Sequence, residues 1–170
     1  LLGSVDGNIE ALLSAHQSIG VPTPLLYFGT EEQRRRFLPR CAAGEISGFA
    51  LTEADVGSDP ARVATTAELS ADGTHYILNG SKLWCTNGTI AQLLVVMARG
   101  ARHPNDKKIT AFVVEMNSPG VKVEHRCHFM GLRALANAVI SFTDVKVPVE
   151  NRIGAEGKGL RRLTRSRCDS

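Results

Sequence analysis

What this sequence has little of narrows it first. It lacks any apolar run approaching the ~20 residues that a membrane-crossing helix needs, and nothing at its start has the layout of a signal peptide. No membrane span is expected, and with no targeting segment visible a cytoplasmic location is expected if the source is bacterial. The chain opens Leu1-Leu2 without a methionine, so it reads as a piece of something longer. Charge of one sign is scarce too. The balance of 20 Lys+Arg against 17 Asp+Glu leaves only +3, too little to argue for a nucleic-acid partner. The four cysteines, Cys41, Cys85, Cys127 and Cys168, are scattered with no CxxC pair, which speaks against a disulfide framework and fits reduced thiols. Aromatic residues make up 5%, with a single tryptophan, Trp84.

What is present suffices for a core. Hydrophobic residues are 43% and charged residues 22% of the 170, globular proportions for one domain or one domain plus part of another. The first third reads as helix. In "DGNIEALLSAHQSIG" Ile9, Leu12, Leu13 and Ile19 recur at helical spacing, with His16 on the same stripe. Asp6 is placed to cap the start, and Gly20, Pro22 and Pro24 to stop it. A second helix opens at Thr30, where Thr30 and Gln33 have the spacing of a capping box. Glu31 and Glu32 lie in its positive first turn, Arg34 to Arg36 follow, and Pro39 is expected to end it.

From about Ile46 the period changes to two. "VATTAELS" and "THYIL" flank the turn "ADG", and Asn79-Gly80 inside "YILNGSKLW" has the chemistry of a type I′ hairpin turn. "QLLVVMA", "KITAFVVE", "VKVE", "AVISF" and "DVKV" follow, each bounded by Gly, Pro, Asn or Asp. Short strands at this spacing predict an antiparallel β-barrel or sandwich. The expected class is α+β, a short helical part followed by a β-domain of roughly 100 residues.

Most catalytic constellations fail on spacing. His125, Cys127 and His128 do not complete a tetrahedral metal set on one strand face, and His75 and His103 lie elsewhere. No metal is expected. Ser58 has no nucleophile elbow around it. The basic clusters Arg34–Arg36 and Arg161, Arg162, Arg165 and Arg167 are not interleaved with aromatics as a single-strand binding surface would be.

Two segments remain, "FALTEADVGSD" (Phe49 to Asp59) and "NGSKLWCTNG" (Asn79 to Gly88). Each is an apolar strand ending in polar groups at a glycine turn. Thr52 and Ser58 offer hydroxyls, and Gly57 lets backbone approach a bound group. Trp84 and Thr86 are two apart and share a strand face. A lone Trp in a β-domain is commonly core; the other reading is a flat surface beside a hydroxyl for a planar heteroaromatic ligand.

These two segments carry a resemblance. "ALTEADVGSD" resembles the TEPxAGSD-type signature of the acyl-CoA dehydrogenases, and "YILNGSKLWCTNG" resembles that family's second flavin segment. The likeness runs on through "ITAFVVE", "PGVKVEHRCHFMGLR", "VISFTDVKVPVENRIG" and "GKGL". Upstream it includes "AHQSIG" and "FGTEEQRRRFLPRCAAGEISGFALTE", and "LNGSKLW" is most similar to the long- and very-long-chain branch. It covers about Ala11 to Leu160.

The resemblance implies a division into residues 1–45, the end of an N-terminal helical domain; 46–152, a middle β-domain with an FAD/acyl-CoA cleft; and 153–170, an aberrant start of a C-terminal helical domain. It implies FAD as cofactor and α,β-desaturation of an acyl-CoA thioester, with a carboxylate taking the α proton and a hydride passing to the flavin. Electron-transfer flavoprotein would be the electron acceptor, and the full-length family is homo-oligomeric. Carried over by position, Phe49, Ala50, Leu51, Thr52, Gly57 and Ser58 would meet the cofactor, with Ser58 also near the substrate's pantetheine. Trp84, Cys85 and Thr86 would line the isoalloxazine, Trp84 stacking and Thr86 bonding near N5. Glu53, Asp55 and Asp59 would shape and solvate the turn.

The family's proline after the Thr-Glu pair is Ala54 here, which loosens the turn, and Asp55 adds charge. The tail "RRLTRSRCDS" is too poor in apolar residues for a bundle helix and reads as truncation or frameshift. No residue is assigned as catalytic base, and a C-terminal four-helix domain is expected to be absent. The alternatives are a non-catalytic remnant or acyl-CoA/flavin-binding module, or a same-fold flavin monooxygenase or acyl-CoA oxidase.

Overall fold

A computed structural model of the chain describes residues 4–100 and 108–159. Among these, helices α1 (Gly7–Ser14), α2 (Pro22–Phe28) and α3 (Glu31–Ala42) precede eight strands. The strands are β1 (Ser47–Ala50), β2 (Thr66–Leu69), β3 (His75–Cys85), β4 (Leu93–Gly100), β5 (Ile109–Glu115), β6 (Val121–Arg126), β7 (Ala138–Pro148) and β8 (Arg152–Ile153).

The helix caps follow from local chemistry. Asp6 Oδ1 accepts from the Asn8 N–H at 2.7 Å, satisfying one of the orphan donors of α1. Thr30 Oγ1 accepts from Gln33 N at 3.2 Å and Gln33 Oε1 accepts from Thr30 N at 3.0 Å, closing the capping box. Gly20 ends the first helical run as expected, but the prolines after it and Pro39 act differently from expectation. The helix from Asp6 finishes in a π-turn, Ala15–Ile19, and α2 begins at once with prolines in its first turn, where a missing N–H leaves nothing unsatisfied. Pro39 does not end α3, which runs on to Ala42. The proline removes one backbone bond, but buried Phe37 and Cys41 on either side of it pack on the sheet and hold the last turn.

The sheet is mixed, not purely antiparallel. Its strand order is β6-β7-β3-β2-β4-β5-β8, with β1 also on β4. Both β1 and β2 pair with β4 in parallel, β1 along Leu93–Val96 and β2 at Arg99 and Gly100. The intervening residues 51–65 leave that edge of β4 and rejoin it further on, so both strands must run in its direction.

β4 and β5 are buried on both faces, which is why they read as continuous apolar runs. Period-two alternation divides them between two cores. Leu94, Val96 and Phe112 face an inner core with Tyr76, Leu78, Ile140 and Val145 of β3 and β7. Leu93, Val95 and Met97 face an outer core with Val21, Leu25 and Phe37 of the helices. The Tyr76 and Phe112 rings meet across the inner core, centroids 4.9 Å apart.

Two bulges place the site. Leu78 and Gly80 on β3 enclose one residue, while their partners Val145 and Phe142 on β7 enclose two. The extra residue lies at Thr143–Asp144, with Asp144 at φ 50°. The inward residues of β7 therefore switch from even to odd numbers. This overturns the Asn79-Gly80 hairpin turn: β3 passes straight through. Asn79 Nδ2 donates to Asp144 Oδ1 and Asn79 Oδ1 accepts from Asp144 N, so the Asn serves the partner's bulge. Gly80, at φ 150°, is required because a Cβ there would lie 2.5 Å from Thr65 Oγ1. The second bulge is on β3 itself. Lys82 and Cys85 enclose two residues against one between Ile140 and Ala138, and Trp84 sits in it at φ 55°.

Candidate functional site

The bulge at Leu83–Trp84 decides what the cleft contains. Along β3 the even-numbered residues Tyr76, Leu78 and Lys82 point inward and are buried. Without an extra residue Trp84 would follow them. With it, Cys85 turns inward and Trp84 outward, and the only tryptophan is 56% exposed. A large aromatic held in the left-handed region and presented to solvent is unusual on both counts.

Trp84 and Thr86 line an open cleft of about 520 Å³ with Phe129, Gly131, Leu132, Leu135 and Asn137. Phe129 stands edge-on to Trp84 at 6.5 Å between centroids. Thr86 Oγ1 donates to Asn137 Oδ1 at 2.9 Å, and Asn137 is buried. β1 crosses close beneath, where a Cβ on Gly48 would meet the Thr86 carbonyl at 2.6 Å. An aromatic face, an apolar floor and one oriented hydroxyl suit a flat heteroaromatic ring. No carboxylate is among the residues lining this cleft.

The first segment contributes less uniformly. Ala50 is buried in the inner core, while half-buried Phe49 and Leu51 pack on the outer one. The Thr52 carbonyl accepts from Leu83 N at 2.8 Å, tying the two segments together at backbone level. Gly57 and Ser58 are exposed and do not line the Trp84 cleft; Asp59 caps the following 3-10 turn through Ala61 N. The Cys85 thiol faces the inner core, and burial pushes it up to about 12. It offers the cleft its backbone only, and no reactive thiolate.

Glu53 does not solvate a turn. It is 7% exposed, and its carboxylate is the acceptor for Lys82 Nζ at 2.7 Å, Ala64 N at 2.6 Å, and both Thr65 N and Thr65 Oγ1. Lys82, 0% exposed, also donates to the Leu51 carbonyl at 3.2 Å. Burial alone would raise the Glu53 carboxyl, but the bonds from Lys82, Thr65 and Ala64 and the Lys82 charge outweigh it, and the acid lies below its usual range. Burial pushes the Lys82 ammonium down, only partly offset by Glu53. A charge entirely out of water loses more than one partner restores. The period-two pattern hid this pair, because its members are 29 residues apart.

Other candidates do not assemble. β6 ends at Arg126, so Cys127 and His128 leave the strand. Among the described residues no group of three or more His, Cys, Asp or Glu is arranged to hold a metal. Arg34 and Arg35 pair with Glu31, and Arg36 with Glu115 and Glu150. His103, Cys168 and the arginines from 161 onward lie outside the described residues. Among the described residues no helix is long and apolar enough to cross a membrane.

A helical segment laid on a mixed sheet, with an aromatic-and-hydroxyl cleft beside a bulge, defines a class that comparison with known proteins names. The family model for the acyl-CoA dehydrogenase middle domain matches residues 48–145, and that for the acyl-CoA dehydrogenase N-terminal domain matches residues 1–45. The chain belongs to the acyl-CoA dehydrogenase family. It is 59% identical over 162 residues to the probable acyl-CoA dehydrogenase FadE10 of Mycobacterium tuberculosis, covering 95% of this chain and 25% of that protein. The human mitochondrial very long-chain specific acyl-CoA dehydrogenase is 41% identical over 167 residues, with the same coverage. An acyl-CoA dehydrogenase from Bacillus anthracis, solved in complex with FAD, superposes with a TM-score of 0.86 at 36% identity, covering 93% of this chain and 27% of that one. The chain spans about a quarter of the length of the curated relatives it matches.

Proposed function

We propose that this chain supplies walls of the FAD and acyl-CoA cleft of an acyl-CoA dehydrogenase acting on long-chain or very-long-chain thioesters. The observation that carries the reading is Trp84, turned outward by its bulge beside the Thr86–Asn137 hydrogen bond. FAD, when bound, would supply the acceptor for the hydride that leaves Cβ of the acyl chain as Cα gives up a proton. The residues present fit that group: Trp84 would stack on the ring, Leu132 and Leu135 would exclude water from it, and the Thr86 hydroxyl, oriented by Asn137, would meet the ring's polar edge.

By the resemblance, the backbone of Phe49, Ala50 and Leu51, with Thr52, would border the same ring, although none of them lines the Trp84 cleft itself, while Cys85 would contribute backbone between Trp84 and Thr86. Gly57 and Ser58 form an exposed turn open to the longer parts of the cofactor and to the substrate's pantetheine. No cleft residue can accept the α proton, so the base comes from outside this set. The reading divides the chain into 1–45 as the end of a helical domain, 46–152 as the cleft-bearing β-domain, and 153–170 as an aberrant start of a C-terminal helical domain. It also carries electron-transfer flavoprotein as electron acceptor, and homo-oligomerisation, to the whole protein.

The test is a titration of the purified chain with FAD, followed by equilibrium dialysis. Saturable binding is expected, weakened about tenfold (about 1.4 kcal/mol) by Trp84→Ala and several-fold by Thr86→Val. Binding that is absent, or indifferent to both substitutions, refutes the assignment.

A further inference from the structure

The Glu53–Lys82 pair lies outside the cleft yet grips both segments that border it. Lys82 Nζ reaches the Leu51 carbonyl and Glu53 Oε1, and the next residue, Leu83, donates its N–H to the Thr52 carbonyl. Three consecutive residues of the first segment, 51 to 53, are thus bonded to two consecutive residues of β3, 82 and 83. Glu53 is itself fixed from the far side by Ala64 and Thr65, and Thr65 occupies the space that a Cβ on Gly80 would need. The strand is held at Lys82 and Leu83, immediately before the residue that leaves its alternation.

That alternation gives the pair a consequence beyond stability. Lys82 is the last even-numbered inward residue of β3, and a regular strand would send Trp84 inward after it. Trp84 is a better core residue than an exposed one by hydrophobicity, and its φ of 55° is disfavoured for an aromatic side chain. Something must oppose both tendencies. The register shift begins at Lys82, whose ammonium cannot slip along the sheet without leaving Glu53 buried and unpaired.

We propose that Glu53 and Lys82 are positioning residues that lock the Leu83–Trp84 bulge and so hold the Trp84 indole out in the cleft. The proposal rests on the flavin reading for its functional meaning, but not for its geometry. Its test can therefore be run without flavin. Trp84 is the sole tryptophan, so tryptophan emission and its quenching by acrylamide report this one side chain.

Two variants of the 170-residue chain are compared with the parent. Glu53→Gln with Lys82→Met removes both charges together and leaves no unpaired ion. Glu53→Asp keeps both charges, shortens the carboxylate's reach to Lys82 by one methylene, and covers the case in which the double variant does not fold. In the folded double variant the acrylamide quenching constant of Trp84 is expected to fall at least threefold and its emission to move to the blue, as the indole turns inward. The single variant is expected to show a smaller change in the same direction. A purely structural pair would alter the urea midpoint but leave Trp84 quenching at the parent value in every folded variant; that result overturns the proposal.

A second arm measures FAD affinity of the same proteins by dialysis, with at least a tenfold loss expected in the double variant. A parent that takes up no FAD defeats the flavin reading, while the quenching arm still decides the positioning role.

Discussion

The Glu53–Lys82 junction and the Ser47–His16 junction both bury polar atoms, but only the first does so with full charges. Lys82 and Glu53 join two parts of the β-domain, and every oxygen of the carboxylate is used. Ser47, 0% exposed, joins the β-domain to the helices. Its Oγ accepts from Val21 N at 3.1 Å and contacts His16 Nδ1 at 2.9 Å, while its N–H donates to that same Nδ1 at 2.9 Å. The imidazole must therefore be neutral, with its proton on Nε2. Asn87 adds bonds from Nδ2 to the Leu12 and Ser47 carbonyls, while its buried Oδ1 finds no partner among the described residues. The difference is one of tolerance. The charged junction fixes geometry strongly and fails badly when halved, while the neutral one is softer and answers to pH.

Breaking the charged junction on one side should do the most damage. Lys82→Ala strands Glu53 in the interior and is expected to cost about 3–5 kcal/mol, read as a lower urea midpoint. Ser47→Ala removes the acceptor of Val21 N and the partner of His16, for about 1–3 kcal/mol. Its mark is selectivity: hydrogen exchange should rise in α1 and α2 while β4 and β5 stay protected. Thr30→Ala opens the capping box of α3 and should cost about 1 kcal/mol, with exchange rising only in that helix's first turn.

The smallest effect is one of pH. Burial holds the His16 imidazole below its ordinary 6.5, so the fold favours its neutral form. Stability from this junction is complete above about 6.5 and is lost as pH falls below it. Glu53 is held below its ordinary 4.5, so its contribution is complete above 4.5 and declines only in stronger acid. Between pH 6.5 and 4.5 the helices should loosen first. A thermal scan at pH 7.5 and 5.5 checks this, and His16→Gln should remove most of the difference.

The same contrast explains what could be read in advance. Caps are local, so Asp6 and the Thr30–Gln33 box were legible from three or four adjacent residues. The strands were legible as periods, and Trp84 with Thr86 as neighbours, although they meet by lining one cleft beside a bulge and not on one strand face. Bulges were not, because an extra residue in one strand is defined only against its partner. Thus Asn79-Gly80 mimicked a turn, although Asn79 serves the bulge opposite it. Glu53 looked like one of three turn acids, since nothing near it in the chain announces a buried lysine. Pro39 misled for a related reason: the packing that overrides it comes from the sheet. The recognisable family signature supplied Thr52, Trp84 and Thr86 as candidates, but it took the register of β3 against β7 to show why the indole faces outward and the Cys85 thiol does not.

The central claim is that Trp84 lies against the flavin ring. Because Trp84 is the only tryptophan, a titration with FAD monitored at tryptophan emission tests it directly. Saturable loss of emission, with an affinity matching that from dialysis and weakened by Thr86→Val, is the predicted result. Emission that declines only in proportion to added FAD absorbance, without saturation, would contradict it.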